Sequence, residues 1–112
     1  MTDLVRGVGA IPRPARSLAG LEALLPEVEA AIVDLTARAY DGMAAIALAT
    51  GAGRRVLAVG QHDDREARER ALAAGADRVL PYRRVFEDGS RQIAAWLAAT
   101  AKIEAATGPR RQ

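Results

Sequence analysis

The sequence predicts an α/β domain in which helices cover a parallel sheet. Short, largely apolar runs are typical of strands that are buried on both faces, and they occur at Ala30–Leu35, Val56–Val59 and Arg78–Leu80. Segments with a helical spacing of apolar residues alternate with these runs. The connections between them are short, which favours parallel strands joined by right-handed crossovers.

Length and composition are those of one small domain with an aliphatic core. Half of the 112 residues are hydrophobic but only 4% are aromatic, so Ala, Leu, Ile and Val must form the core. The absence of cysteine excludes disulfides, thiolate catalysis and cysteine metal sites. Neither a membrane-spanning run nor a secretory signal is visible, so we expect a cytoplasmic protein with no membrane partner.

The charges are nearly balanced, with 16 basic and 14 acidic residues and a net charge of +2. Every basic residue except Lys102 is arginine, a bias that we interpret as GC-rich coding. The chain has no recognition motif and no aromatic residues interleaved with basic ones, so we expect no nucleic-acid partner.

Three regions are predicted along the chain. Residues 1–10 form an atypical N-terminal segment, either a short strand or a frayed helix. Residues 11–107 form the α/β domain, and residues 108–112 are a disordered basic tail. Two prolines make residues 11–16 an edge strand or a loop.

Four helices are predicted within the domain. The first is capped by Ser17 and stopped by Pro26, and the second runs from Gly42 to the glycines at 51 and 53. Asp63 or Asp64 caps the third, which ends at Gly75. The last begins near residues 88–90, and residues 82–86 are predicted to connect it to the preceding strand. Its buried stripe includes Ile93 and Trp96.

Asp34 is the candidate functional residue around which the chain is organised. It ends a predicted parallel strand, and ligands bind at the carboxyl edge of open α/β sheets. Other residues expected near this edge are possible ligand contacts, namely Thr36, Gly60, Tyr82 and Arg83.

These residues resemble the receiver domains of bacterial response regulators over about residues 11–100. Asp34 and the following Asp41-Gly42 have the spacing of the phospho-accepting aspartate and the Asp-Gly of that family. The tract Ala73–Pro81 looks like the receiver signature that leads into the last strand. The resemblance implies a flavodoxin-like three-layer α/β/α fold with strand order 2-1-3-4-5. It also implies phosphorelay signal transduction, with Asp34 as the candidate phospho-acceptor.

The chain departs from the receiver pattern at the groups that support phosphoryl transfer. The acidic pair that holds Mg²⁺ has no counterpart, the hydroxyl position reads Gly60, and the lysine position reads Tyr82, with Arg83 one residue further on. Phosphoryl transfer to a carboxylate crowds anions together, and a metal and a cation must neutralise them. We therefore expect a pseudo-receiver with no metal, no cofactor and no catalytic residue.

The first βα unit of the family is missing or replaced. Residues 3–9 could form a replacement strand, or an edge strand at residues 11–16 could pair directly with the strand at residues 30–35, which carries Asp34. A third possibility is that the native chain begins further upstream. The first and third possibilities are favoured.

The expected function is regulation through protein–protein interaction and not enzymatic catalysis. The resemblance implies a partner or homodimer surface formed by residues 64–74, 78–81 and 88–103. Two alternatives are a working receiver phosphorylated on Asp34 and a small flavodoxin-like ligand-binding domain with a pocket near Asp34, Gly60 and Tyr82. We interpret His62 as a turn residue and Asp63-Asp64 as a helix cap, and not as metal ligands.

Overall fold

The computed structural model describes residues 2–61 and 64–107, with side chains for residues 3–61 and 64–99. Residues 13–87 form one compact unit, and the described parts of residues 1–12 and 88–112 form a second. The elements, in chain order, are α1 (Thr2–Gly7), α2 (Leu18–Leu24), the 3₁₀ turn Leu25–Glu27, β1 (Ala30–Asp34), α3 (Gly42–Gly51), β2 (Arg55–Gly60), α4 (Arg65–Ala74), β3 (Arg78–Pro81) and α5 (Tyr82–Thr107).

The larger unit contains a three-stranded parallel sheet in the order β1-β2-β3. Ile32 of β1 lies opposite Leu57 of β2, and Val59 of β2 lies opposite Leu80 of β3. In sequence, α3 stands between β1 and β2, and α4 stands between β2 and β3. The predicted parallel α/β class is therefore confirmed.

Small side chains form the core between one face of this sheet and its helices. Alanine is frequent in the core, so the helices can pack close to the strands. The buried residues of this cluster are Leu25, Ala31, Val33, Ala45, Ile46, Ala49, Val56, Ala58, Ala71 and Ala76.

Polar side chains cap three of the helices, and the sequence predicted the caps of α2 and α4. An N-cap side chain accepts hydrogen bonds from backbone N–H groups that have no partner within the first helical turn. Of the two candidates for α4, Asp64 is the cap, whereas His62 and Asp63 lie outside the described residues. The caps are Ser17 for α2, Asp41 for α3 and Asp64 for α4.

The tract between α4 and β3 joins three elements. Gly75 has a φ of +122°, and a Cβ atom built there would lie 2.4 Å from Oγ1 of Thr50 in α3. Asp77 forms an ion pair with Arg55, and its carboxylate also accepts the Val56 N–H at 3.2 Å. The tract that carries the resemblance therefore has a structural role, because it ties the start of β2 to the end of α4.

The N-terminal region differs from the prediction. Residues 3–7 lie in helix α1 and residues 8–9 lie in a turn, so residues 3–9 do not form a replacement strand, and residues 10–15 have no regular structure. Direct pairing of an edge strand at 11–16 with a strand of the sheet is thus also wrong. Among the described residues, no strand pairs with β1 on the side away from β2. The Leu35 N–H points toward β2 and donates to the Val59 carbonyl at 2.7 Å. The N–H and C=O groups of successive residues point to opposite sides of a strand, so those of Ile32 point to the open edge of β1.

Helix α5 begins directly after β3, so the predicted connection over residues 82–86 is wrong. The predicted start near residue 88 coincides with a break inside α5, because Asp88 has non-helical angles (φ −151°, ψ 31°). A glycine and a serine follow it, and such pairs are common at kinks. In the smaller unit, Ile93 and Trp96 are buried as predicted, and the tail at 108–112 lies outside the described residues.

Candidate functional site

Strand β1 delivers Asp34 to the carboxyl edge of the sheet, where the chain turns sharply. Oδ1 of Asp34 accepts hydrogen bonds from the backbone N–H of Thr36 at 2.9 Å and from its hydroxyl at 2.7 Å. A carboxylate that accepts the N–H two residues later forms an Asx turn, which aspartate favours locally. Thr36, a predicted edge residue, therefore orders the turn and occupies one oxygen of Asp34.

The second oxygen of Asp34 is bonded to a residue from the far side of the sheet. The hydroxyl of Tyr82, the first residue of α5, donates to Oδ2 of Asp34 at 2.5 Å. Strand β2 lies between β1 and β3, so the side chains of Tyr82 and Asp34 together bridge two strand spacings, about 10 Å. Their hydrogen bond brings together the predicted edge residues Asp34, Thr36 and Tyr82.

The electrostatics of Asp34 favour the charged carboxylate. Burial by itself raises the pKa of Asp34, but hydrogen bonds from Tyr82 and from the Thr36 side chain and backbone outweigh that effect. The resulting pKa lies below its usual value of 3.8. Burial raises the pKa of Tyr82, and its hydrogen bond to Asp34 raises it further. The pair is therefore an aspartate and a neutral phenol at neutral pH.

Tyr40 is a member of the site that the sequence analysis did not select. Its pKa is raised by burial and by the charge of Asp34, and a hydrogen bond with the Asp34 backbone partly offsets the rise. The two tyrosines thus approach Asp34 through different groups, one at the side chain and one at the backbone. The sequence feature that comes closest to indicating Tyr40 is its position directly before Asp41, the cap of α3.

Gly60 ends β2 beside a leucine and offers no polar side chain to the site. A Cβ atom at Gly60 would lie 3.2 Å from Cδ1 of Leu35, and one at Gly42 would lie 3.1 Å from Cδ2 of the same side chain. Leu35 therefore fills the space between the ends of two elements. A serine or threonine at position 60 would have to displace it.

Arg83, the remaining predicted edge residue, does not join the site. Its Nε atom lies 3.5 Å from Glu87 one helical turn along α5, and its side chain is 75% exposed. No group of three or more His, Cys, Asp or Glu side chains that could hold a metal occurs in the described part of the chain.

A shallow cavity lies at a different place in the larger unit. Its volume is about 450 Å³. It lies at the C-terminal end of α3, whereas Leu35 and the Asp34 turn lie beside the N-terminal end of that helix. The lining residues are Glu22, Leu25, Pro26, Ala47, Leu48, Gly51, Ala52 and Arg54.

Comparison with solved structures identifies the fold. A response regulator protein from Burkholderia pseudomallei, crystallised with a phosphorylated aspartic acid, a calcium ion and citrate, superposes with a TM-score of 0.70. The chain has a receiver-like fold. The match covers 98% of this chain and 67% of that protein, at 21% sequence identity. The prediction of a receiver-like, flavodoxin-like domain is thus confirmed.

NtrX from Brucella abortus also has this fold. It superposes with a TM-score of 0.63 and 17% identity over 92% of the receiver-like chain, which spans only 27% of NtrX. No protein-family profile and no curated protein sequence matches the chain. None of the helices in the described ranges has the length and apolarity of a membrane span.

Proposed function

We propose that this receiver-like domain is a regulatory module that acts through protein–protein interaction and does not accept a phosphoryl group on Asp34. The observation that supports the proposal is the state of the Asp34 carboxylate. Oδ1 is bonded to Thr36 and Oδ2 to Tyr82, so groups of the protein itself engage both oxygens.

Tyr82 provides a neutral hydroxyl at the position where the receiver resemblance implies a lysine. Its raised pKa keeps the phenol protonated near neutral pH, so it contributes no positive charge against a developing phosphoryl anion. Its hydrogen bond also helps to lower the pKa of Asp34, which makes the carboxylate a weaker base. Gly60 supplies no hydroxyl, and Leu35 fills the adjacent space. These substitutions favour an Asp34 carboxylate that is hydrogen-bonded within the protein over one that reacts with a phosphodonor.

The proposed partner surface includes the outer side of α4 in the larger unit. This is the first of the three ranges predicted for a partner surface, which are 64–74, 78–81 and 88–103. Leu72 is 43% exposed there, and α4 also carries the exposed pair Arg65 and Glu69. An interface buries apolar side chains at its core and leaves charged ones at its rim, an arrangement that Leu72 and its charged neighbours fit. We propose a protein partner or a second copy of the chain as the occupant, in the cytoplasm and without nucleic acid.

Phosphorylation is tested with Mg²⁺ and a small phosphodonor such as acetyl phosphate, followed by intact mass spectrometry. A working receiver domain treated in parallel is the positive control, and the Asp34→Asn variant is the matched negative control. We expect no phosphoryl adduct on the wild-type chain. An adduct that is present on the wild type and absent from Asp34→Asn would contradict the proposal.

A working receiver is the second candidate function. Asp34 stands at the end of a parallel strand in a receiver-like fold, and the Burkholderia pseudomallei protein with this fold carries a phosphorylated aspartic acid. In this case, the phosphodonor would have to displace Tyr82 from Oδ2. The same mass measurement separates the two candidates.

A further inference from the structure

The open edge of β1 carries none of the features that protect an exposed strand. Edge strands are commonly guarded by proline, by lysine, or by a bulge that twists the edge away. β1 has the sequence Ala-Ala-Ile-Val-Asp and pairs with β2 in an unbroken register. The N–H and C=O groups of Ile32 point to the open edge and bond to no other described residue. An apolar, unguarded edge of this kind is a template for a further strand.

Helix α2 lies over the position beside β1 that a further strand would take. Helix α3 packs against β1 and β2, α4 packs against β2 and β3, and α2 packs against α3. Leu18 and Leu21 of α2 contact the same core as α3, so the three helices share one face of the sheet. Because α4 lies toward β3, α2 lies toward the open edge. No residue of α2 is buried, so an added strand would cover apolar surface of this helix.

A second copy of the chain does not fit this position. If two β1 edges paired antiparallel about a two-fold axis, the helices of both copies would lie on the same face of the joined sheet. The α3 helix of the second copy would then lie over its own β1, where α2 already lies. A parallel pairing would place Asp34 opposite Asp34 and Glu29 opposite Glu29 of the second copy, and like charges directly opposite each other destabilise a sheet.

We propose that an extended segment of a partner protein pairs with β1 beneath α2 and adds a strand to the sheet. Main-chain hydrogen bonds to Ile32 supply affinity, and an apolar residue at every second position faces the leucines of α2. A basic residue at one end lies beside Glu29, which is exposed and forms no ion pair in the described part of the chain. The pairing requires neither the α4 surface nor an unreactive Asp34, so its test and the phosphorylation assay can fail separately.

The probe is a fluorescently labelled peptide of about six residues, the usual length of a strand. Valine alternates with threonine in this peptide, and a lysine at each end places a positive charge beside Glu29 in either strand direction. A copy with N-methylated backbone amides keeps the side chains but cannot pair, so it is the matched peptide control. Glu29→Lys reverses the charge at the edge, and Glu69→Lys is its control because Glu69 belongs to an exposed pair on α4. Fluorescence anisotropy measures binding, and amide hydrogen exchange measures protection of the Ile32 N–H.

We expect the peptide to bind the full chain and the N-methylated copy not to bind. Exchange of the Ile32 N–H should slow by about tenfold or more at saturation. Glu29→Lys should weaken binding by about threefold, whereas Glu69→Lys should leave it unchanged. Absence of binding, or binding without protection of the Ile32 N–H, would overturn the proposal. An Ile32 N–H that is already protected in the free protein, by a second copy or by another part of the chain, would overturn it as well.

Discussion

The hydroxyl of Tyr82 donates to the carboxylate of Asp34, a residue 48 positions earlier in the chain. This bond connects the end of β1 to the start of α5 across the width of β2. It is an internal contact at the edge of the sheet where parallel α/β folds bind their ligands.

Removing this hydroxyl should destabilise the fold and raise the pKa of Asp34. Tyr82→Phe deletes a hydrogen bond to a charged, partly buried group, so we expect the free energy of unfolding to fall by about 1–2 kcal/mol. The pKa of Asp34 should rise, because one of the bonds that lower it is lost. Urea unfolding and a ¹³C carboxyl titration measure the two effects.

Tyr40→Phe is the matched control for that experiment. Tyr40 is hydrogen-bonded to the backbone of Asp34, whereas the hydrogen bonds that lower the Asp34 pKa come from Tyr82 and Thr36, so the loss of the Tyr40 hydroxyl should change the Asp34 pKa less. Equal shifts in the two variants would show that Tyr82 has no special effect on the carboxylate.

The stabilising effect of Asp34 should depend on pH in a defined direction. Its folded-state pKa lies below the usual 3.8, so the folded protein binds this proton less readily than the unfolded chain. The contribution is fully present above pH 3.8 and is lost as the pH falls through the lowered folded-state value.

Urea unfolding of the wild type and Asp34→Asn at about pH 7 and about pH 3 measures this dependence, since the other carboxylates are common to both chains. The stability difference between the two chains should be smaller at the acidic pH. A difference that stays constant would show that the pKa of Asp34 is not lowered.

Gly75→Ala should be strongly destabilising for two reasons. The backbone angle of +122° disfavours any side chain, and the new Cβ would lie 2.4 Å from Oγ1 of Thr50. We expect a loss of about 2 kcal/mol or more in the free energy of unfolding. Adding Thr50→Ala should recover part of this loss, because it removes the nearest atoms.

Gly53→Ala separates the two causes. Gly53 also has a positive φ, +79°, but a Cβ atom added there would meet nothing within 4 Å. We expect a cost of about 1 kcal/mol from the backbone alone. If denaturant unfolding shows the same loss in the free energy of unfolding for Gly75→Ala and Gly53→Ala, the close approach of the new Cβ atom to Thr50 does not contribute to that loss.

Asp77→Ala should destabilise the larger unit by about 1–2 kcal/mol. The carboxylate contacts Arg55 and the N–H of Val56, and both side chains of the ion pair are mostly shielded from water. Glu69→Ala breaks the exposed pair with Arg65 and should change stability by less than about 0.5 kcal/mol. Thermal unfolding measures the stability of the two variants. Similar losses of stability would contradict the role of Asp77 in tying the start of β2 to the end of α4.

Local signals were sufficient for most of the larger unit. The apolar runs predicted β1, β2 and β3, and Ser17, Asp64 and Gly75 lie at the helix ends where caps or a stop were predicted. These features depend on neighbours within a few residues, so they can be recognised from the sequence. Local signals failed at residues 82–86, where no apolar periodicity indicates a helix and burial of Val85 anchors the turn.

Local sequence patterns were enough to predict the parallel α/β class, the receiver resemblance and the position of Asp34 at the end of a strand. The three-dimensional structure was needed to show that residues 3–9 do not form a strand and that β1 has an open edge among the described residues. It also decided that Tyr82 reaches Asp34 while Arg83 turns away to Glu87. The physical reason is that strand pairing and contacts across β2 join residues far apart in the chain, and no local pattern specifies which distant side chain a carboxylate will bind.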